Sequence, residues 1–94
     1  MENRKAGKKM KPQQFSQVLT GGVTYDAITG LPGRIKRLAF KNQAASNINV
    51  RFSVNSGNPI VVPAGAMWDS DWCDWQAPVV YVNGTGTLDG EYWG

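Results

Sequence analysis

A nine-residue stretch, 47–55, constrains the fold of this chain more than any other feature. Apolar and polar side chains alternate along it, and the apolar ones are Ile48, Val50, Phe52 and Val54. Strict alternation with a period of two predicts a β-strand that has one buried face and one wet face. We expect these four side chains to enter one core, with Val80, Val82 and Leu88 among their neighbours.

The rest of the chain is divided into further strand-sized segments by Gly, Pro and Asn turn signals. The predicted strands are 15–20, 23–25, 34–41, 60–62, 79–83 and 85–93, and residues 66–75 are predicted to form an exposed edge or a loop. Within 34–41 the apolar positions change parity between Ile35 and Leu38, which a β-bulge explains and a short helix would also explain. Gly84-Thr85-Gly86 predicts a hairpin, and Pro63 predicts a sheet edge. The fold class is therefore all-β, a small antiparallel sandwich or barrel of jelly-roll or immunoglobulin-like size.

The first fourteen residues differ in composition from the remainder. They hold five basic residues, one acid, one Gly and one Pro, and Met10 is the only large apolar side chain after the initiator. Such a segment cannot bury enough apolar surface to fold alone. We therefore divide the chain into a basic N-terminal arm, 1–14, and a β-sandwich domain, 15–94.

Charge is unevenly distributed along the chain. Residues 1–51 hold all ten Lys and Arg and two acids, a net charge of +8, whereas residues 52–94 hold five acids and no base, a net charge of −5. A split of this kind favours docking between copies or onto a complementary partner. The alternative is a basic tail that merely precedes an acidic domain.

The residue types needed for common catalytic sites are missing. The chain has no histidine and a single cysteine, Cys73, which excludes His-based catalysis, His-ligated metals and an intrachain disulfide. Asp69, Asp71 and Asp74 suggest calcium, but Cys73 and Asp74 stand where an EF-hand loop needs a ligand and a glycine. We favour solvent-facing acids that keep a sheet edge soluble. We expect no catalytic residue, no cofactor and no metal. We also expect no signal peptide and no membrane span.

Tryptophan is concentrated at the C-terminal end. All four, Trp68, Trp72, Trp75 and Trp93, follow residue 67, which is more than a thin core needs. We expect at least two in the core and at least one of Trp68, Trp72 and Trp75 on an exposed edge or loop that reaches a neighbouring chain. If 66–75 is fully extended, Trp68 and Trp72 share a face. The predicted partner-binding residues are these four tryptophans together with Arg4, Lys5, Lys8, Lys9 and Lys11 of the arm.

Four stretches of residues 47–94 follow one another in a familiar order. They are the alternating strand Asn49–Val54, the Pro-strand-Ala-Gly stretch Asn58–Gly65, the Gly-Thr stretch Val79–Gly86, and the closing strand Gly90–Gly94 with its aromatic residues. Together these stretches resemble small β-sandwich proteins of tailed-bacteriophage virions. Families of this appearance include capsid decoration (cement) proteins, head fibres and tail or adaptor components. The resemblance implies a structural role without catalytic residues.

Our sequence-based hypothesis is a virion structural protein, made in the cytoplasm of a bacterial host. The first hypothesis is capsid decoration. In this hypothesis the protein binds the major capsid protein and neighbouring copies in a homo-oligomer. A tail, adaptor or head-fibre component, a carbohydrate-binding module for host recognition and a small nucleic-acid-binding barrel are the alternatives. Nucleic acid is disfavoured because the aromatic half of the chain is acidic and would repel phosphate.

Overall fold

The computed structural model describes residues 11–94, and every described regular element is a strand. The ten strands are β1 (Gln13–Thr20), β2 (Asp26–Ala27), β3 (Arg34–Ile35), β4 (Arg37–Asn42), β5 (Ile48–Phe52), β6 (Ile60–Val62), β7 (Met67–Asp69), β8 (Trp75–Gln76), β9 (Val80–Asn83) and β10 (Thr85–Trp93). The predicted all-β class is confirmed. β1 begins two residues before the predicted start of the domain, and the remainder of the arm, residues 1–10, lies outside the described residues.

Eight strands form two four-stranded antiparallel sheets. The first sheet has the order β1-β10-β4-β7, and the second has the order β2-β9-β5-β6. β3 and β8 form a separate two-stranded ribbon. Apolar side chains of both sheets and of the ribbon make one core cluster, which is the arrangement of a β-sandwich.

The alternating stretch forms β5 at the centre of the second sheet. Ile48 and Val50 are fully buried, and Val50 pairs with Val82. Phe52 is partly buried against the same cluster. Val54 was predicted to be in the core, and this is wrong: its side chain is 61% exposed. Ser53 has a φ of 70°, which takes the chain out of the extended conformation after Phe52 and ends the alternation.

The parity change at residues 35–38 is a break between two strands. Ile35 ends β3, Leu38 lies in β4, and both side chains are completely buried. Lys36 stands between them, donates its N–H to the Trp93 carbonyl at 2.6 Å and accepts from the Cys73 N–H at 2.8 Å. The extra residue lets both apolar side chains face inward. The alternative of a short helix is wrong.

The predicted hairpin at Gly84 and the predicted strand at 23–25 are both wrong. Local sequence signals do not report which sheet a strand joins. Gly84 does not close a hairpin, because β9 pairs with β2 and β5 whereas β10 pairs with β1 and β4. It is instead the single residue by which the chain crosses from one sheet to the other. Residues 23–25 form no strand; the second sheet takes up β2 one residue later. Pro63 does follow an edge strand, β6, as predicted.

Candidate protein-binding surface

The segment 66–75 lies at one side of the sandwich, where β7 is an edge strand of the first sheet. Hydrogen bonds attach the loop that follows β7 to the start of β4. The Ser70 N–H donates to the Leu38 carbonyl at 2.8 Å, and the Leu38 N–H donates back to Ser70 Oγ at 2.9 Å. The Cys73 N–H bond to Lys36 holds the other end of the loop. The loop therefore has a defined position on the sheet.

Local carboxylate bonds shape the loop between those two attachments. Asp71 has a φ of 61°, in the left-handed region that aspartate tolerates better than most residues. Its N–H donates to Asp69 Oδ1 at 2.8 Å, and its own carboxylate accepts the Trp72 N–H at 2.9 Å. The resulting turn directs Trp72 outward, where its side chain is 50% exposed.

Four residues form what we call the aromatic–arginine cluster: Arg37, Asp69, Trp72 and Trp93. The guanidinium carbon of Arg37 lies 5.0 Å from the Trp72 ring centroid and 5.1 Å from that of Trp93, within cation–π range. Arg37 also donates to both carboxylate oxygens of Asp69, at 3.0 and 2.5 Å. The two indoles meet edge to face at a centroid distance of 5.8 Å.

The electrostatics of the cluster follow from the Arg37–Asp69 pair. The hydrogen bonds from Arg37 lower the pKa of Asp69, and the N–H of Asp71 lowers it further. The same hydrogen bonds raise the pKa of Arg37 above its already high value. Both groups are thus charged at neutral pH, and each holds the other in place. The arginine is oriented from three sides, by one carboxylate and two aromatic rings.

A second ion pair closes the ribbon end of the same region. Arg34 donates from Nε and a terminal nitrogen to the two oxygens of Asp74, at 2.7 and 2.6 Å. These bonds lower the pKa of Asp74. Both pairs join a base from the basic half of the chain to an acid from the acidic half. Part of the difference in charge between the two halves is therefore neutralised within one chain, which the linear sequence does not reveal.

Trp68 and Trp75 occupy the inner side of the same region. Trp68 stacks on Phe52 at a centroid distance of 4.7 Å and on Phe40 at 5.3 Å, and Trp75 lies 5.8 Å from Phe52. The fully extended reading that put Trp68 and Trp72 on one face is wrong, because the left-handed Asp71 interrupts the strand between them. Two tryptophans thus contribute to the core, and Trp72 and Trp93 form the outer pair.

Most of the arm residues that we predicted to contact a partner precede the described part of the chain. Arg4, Lys5, Lys8 and Lys9 lie outside the described residues, and Lys11 is exposed just before β1. Within residues 11–94 no group of three or more acidic or cysteine side chains is close enough to hold a metal ion. The same residues include no helix that is long and apolar enough to cross a membrane.

Sequence reasoning did not identify a shallow groove on the outer face of the first sheet. It has a volume of about 580 Å³, and its outward lining side chains include Ser16, Met67, Asp89 and Glu91. Ser16 Oγ donates to Asp89 Oδ1 at 2.7 Å across β1 and β10. The groove depends on the register of four strands, so a single strand's pattern could not have indicated it.

Comparison with known proteins gives no relative for this chain. No protein-family model matches it, and neither a curated protein nor a solved structure is significantly similar to it. The chain is therefore placed by its geometry alone, as a small antiparallel β-sandwich with an aromatic–arginine cluster on one side.

Proposed function

We propose that this protein is a non-enzymatic structural component of a tailed-bacteriophage virion that decorates and stabilises the capsid. The aromatic–arginine cluster binds the major capsid protein or a neighbouring subunit. The observation that carries the proposal is Trp72, a large apolar side chain that is half exposed on a loop. Two backbone hydrogen bonds and one bond to the Ser70 hydroxyl hold this loop in place. Specific protein interfaces concentrate their binding energy in tryptophan and arginine side chains that are ordered before binding.

The geometry of the cluster favours a protein partner over a sugar. Glycan stacking uses an exposed, flat aromatic face, whereas the Trp72 and Trp93 rings are inclined by 70° and Arg37 lies over both. Nucleic acid is disfavoured by the carboxylates of Asp69, Asp71 and Glu91 around the cluster, since phosphates avoid negative surfaces. The virion assignment itself is supported by the resemblance of residues 47–94 to small virion β-sandwiches.

The test is a co-sedimentation assay with capsids assembled without this protein. Wild-type protein should pellet with the capsids, and Trp72→Ala should reduce the bound fraction by roughly tenfold, the effect of losing one interface hot spot. Val23→Ala is the matched control, because Val23 is 96% exposed but lies in a loop away from the cluster. Equal binding of the Trp72→Ala and wild-type proteins would contradict the role of the cluster. Absence of wild-type binding, with retention on a glycan array or on DNA, would replace the virion proposal by one of the alternatives.

A further inference from the structure

The outer edge of β1, the side that faces away from β10, is the longest sheet edge in residues 11–94. The four edge strands of the two main sheets are β1, β7, β2 and β6. β1 has eight residues, whereas the other three have two or three. Soluble proteins protect long edges with charge, proline, bulges or a covering segment, because an open row of backbone groups recruits another strand.

β1 carries none of those protections within its length. Its sequence, QQFSQVLT, has no charged residue and no proline, and its register with β10 runs without a bulge from Gln13 to Thr20. Within residues 11–94 no hydrogen bond between two backbone groups uses its outer edge. An edge of this length and composition is expected to be covered when the protein is assembled.

The hydrogen-bonding pattern of that edge is defined at both ends. The Thr20 N–H donates to Asp26 Oδ2 at 2.9 Å, so it points away from Thr85, its partner on β10. Directions alternate along an antiparallel strand, so the amides of Gln14, Ser16 and Val18 also point outward. Pro12, next in the series, has no N–H. The edge therefore offers three outward N–H groups to a partner. Pro12, which has no N–H, lies before them, and the Thr20 N–H, which already donates to Asp26, lies after them.

We propose that β1 pairs antiparallel with β1 of a second copy, with Ser16 opposite Ser16 on the two-fold axis. In this antiparallel register all three residues with outward amides find a partner. Ser16 pairs with Ser16, Gln14 pairs with Val18 of the other copy, and Val18 pairs with Gln14 of the other copy. It joins the two first sheets into one continuous eight-stranded sheet. The strand is uncharged, so pairing it with itself brings no like charges together.

Charge complementarity at the ends of the pair supports a second copy as the occupant. In this register Lys11 of one subunit stands opposite Gly21 of the other, beside the Asp26 carboxylate that binds Thr20 there. Each end of the pair therefore brings the basic side chain of Lys11 near a carboxylate of the other copy. The proposal is independent of what the aromatic–arginine cluster binds.

Cysteine cross-linking in the full chain tests the register. In a Cys73→Ser background, Ser16→Cys should form a disulfide-linked dimer, because hydrogen-bonded partners have Cα atoms about 5.5 Å apart, within disulfide reach. Val18→Cys is the matched control: the two Val18 residues would be about 14 Å apart, four residues along the strand, which is too far to bridge. Equal cross-linking of both variants would indicate random collision and overturn the register.

Charge substitution tests the dimer itself by sedimentation equilibrium. The double variant Gln14→Lys/Val18→Lys places like charges opposite each other twice and should weaken dimerisation roughly tenfold. Gln14→Lys/Val18→Glu places opposite charges there and should retain it. Circular dichroism confirms that both variants are folded. A wild-type protein that remains monomeric up to millimolar concentration, or equal behaviour of the two double variants, would overturn the proposal.

Discussion

At the level of single residues, one buried polar side chain, that of Asn42, connects the two sheets through hydrogen bonds. Asn42 is completely buried and has all its hydrogen-bonding groups engaged within the described part of the chain. Its amide nitrogen donates to the Ser46 and Val62 carbonyls at 2.9 Å, and its oxygen accepts the Ala44 N–H at 2.8 Å. Because Val62 belongs to the second sheet and Asn42 to the first, this one side chain ties the sheets together.

We expect Asn42→Ala to lower the free energy of unfolding by about 3 kcal/mol. The change leaves the Val62 carbonyl and the Ala44 N–H buried without partners, which is costly, and the part-buried Ser46 carbonyl also loses its donor. Urea denaturation followed by tryptophan fluorescence measures the loss. Asn47→Ala, at an exposed position five residues later, should change stability by less than about 0.5 kcal/mol. Comparable decreases in the free energy of unfolding for the two variants would contradict the role of Asn42 in connecting the sheets.

A second residue-scale prediction concerns the pH response of Asp69. Arg37 lowers the pKa of this carboxyl below its ordinary value of 3.8, so the pair stabilises the fold above pH 4 and the contribution is lost as the pH falls through the lowered pKa. Arg37→Gln should therefore raise the titration midpoint of Asp69 toward 3.8, as measured by NMR of its carboxyl carbon.

Arg34→Gln is the matched control for that titration. It removes the partner of Asp74, whose pKa is lowered in the same way, and so should raise the Asp74 midpoint while leaving Asp69 unchanged. Movement of both carboxyls in either variant would mean that the two ion pairs are coupled rather than separate.

At the scale of elements, the sandwich depends on where strands leave one sheet and join the other. Gly84 makes such a crossing between β9 and β10, and a Cβ atom there would stand 2.6 Å from Ile48 Cγ2. Ile48 is fully buried in β5, so it has little room to move. The glycine is required by close approach of the two sheets rather than by a tight turn.

Gly84→Ala should accordingly destabilise the protein by roughly 1–3 kcal/mol, the range for overpacking a core. Thermal unfolding monitored by circular dichroism provides the measurement. In the control, Gly33→Ala, the new methyl group meets nothing within 4 Å, and stability should stay the same or increase slightly. If both variants unfold at the wild-type temperature, the contact between Gly84 and Ile48 does not constrain the crossing.

At the scale of the whole molecule, the protein combines a folded sandwich with a strongly basic N-terminal segment. Two of the described arginines are paired with aspartates of the same chain. The guanidinium carbon of Arg51 lies 4.1 Å from the Tyr25 ring centroid, and Arg51 donates to the Gly57 carbonyl. The basic charge available to a partner is therefore concentrated on lysines and on the segment before β1.

Deleting residues 2–11 should leave the sandwich folded, because β1 begins at Gln13. Under the proposed function, the deletion should weaken attachment to the capsid. The loss should be largest at low ionic strength and shrink as salt rises, since screening removes the same interaction from the wild-type chain. Capsid co-sedimentation at several salt concentrations measures it. A variant with the five basic residues of 1–11 changed to Gln should behave like the deletion. Wild-type binding by both variants would show that the segment is not an attachment arm.

The sequence by itself determined the all-β class, a main strand within 47–55 that has Ile48 and Val50 in the core, and the final strand from Thr85 to Trp93. These follow from local alternation and turn chemistry, which depend on neighbours in the chain. Only the tertiary structure decided that Val54 is exposed, that Gly84 crosses between sheets and that Asn42 is buried.

The candidate protein-binding surface was likewise predicted only in part from the sequence. Aromatic surplus indicated the tryptophan segment, but the separation of Trp68 and Trp75 in the core from Trp72 and Trp93 outside depends on the left-handed turn at Asp71. The pairing of Arg34 with Asp74 and of Arg37 with Asp69 joins residues 40 and 32 positions apart. Such contacts are set by strand order and register, which are properties of the assembled sheets and not of any local segment.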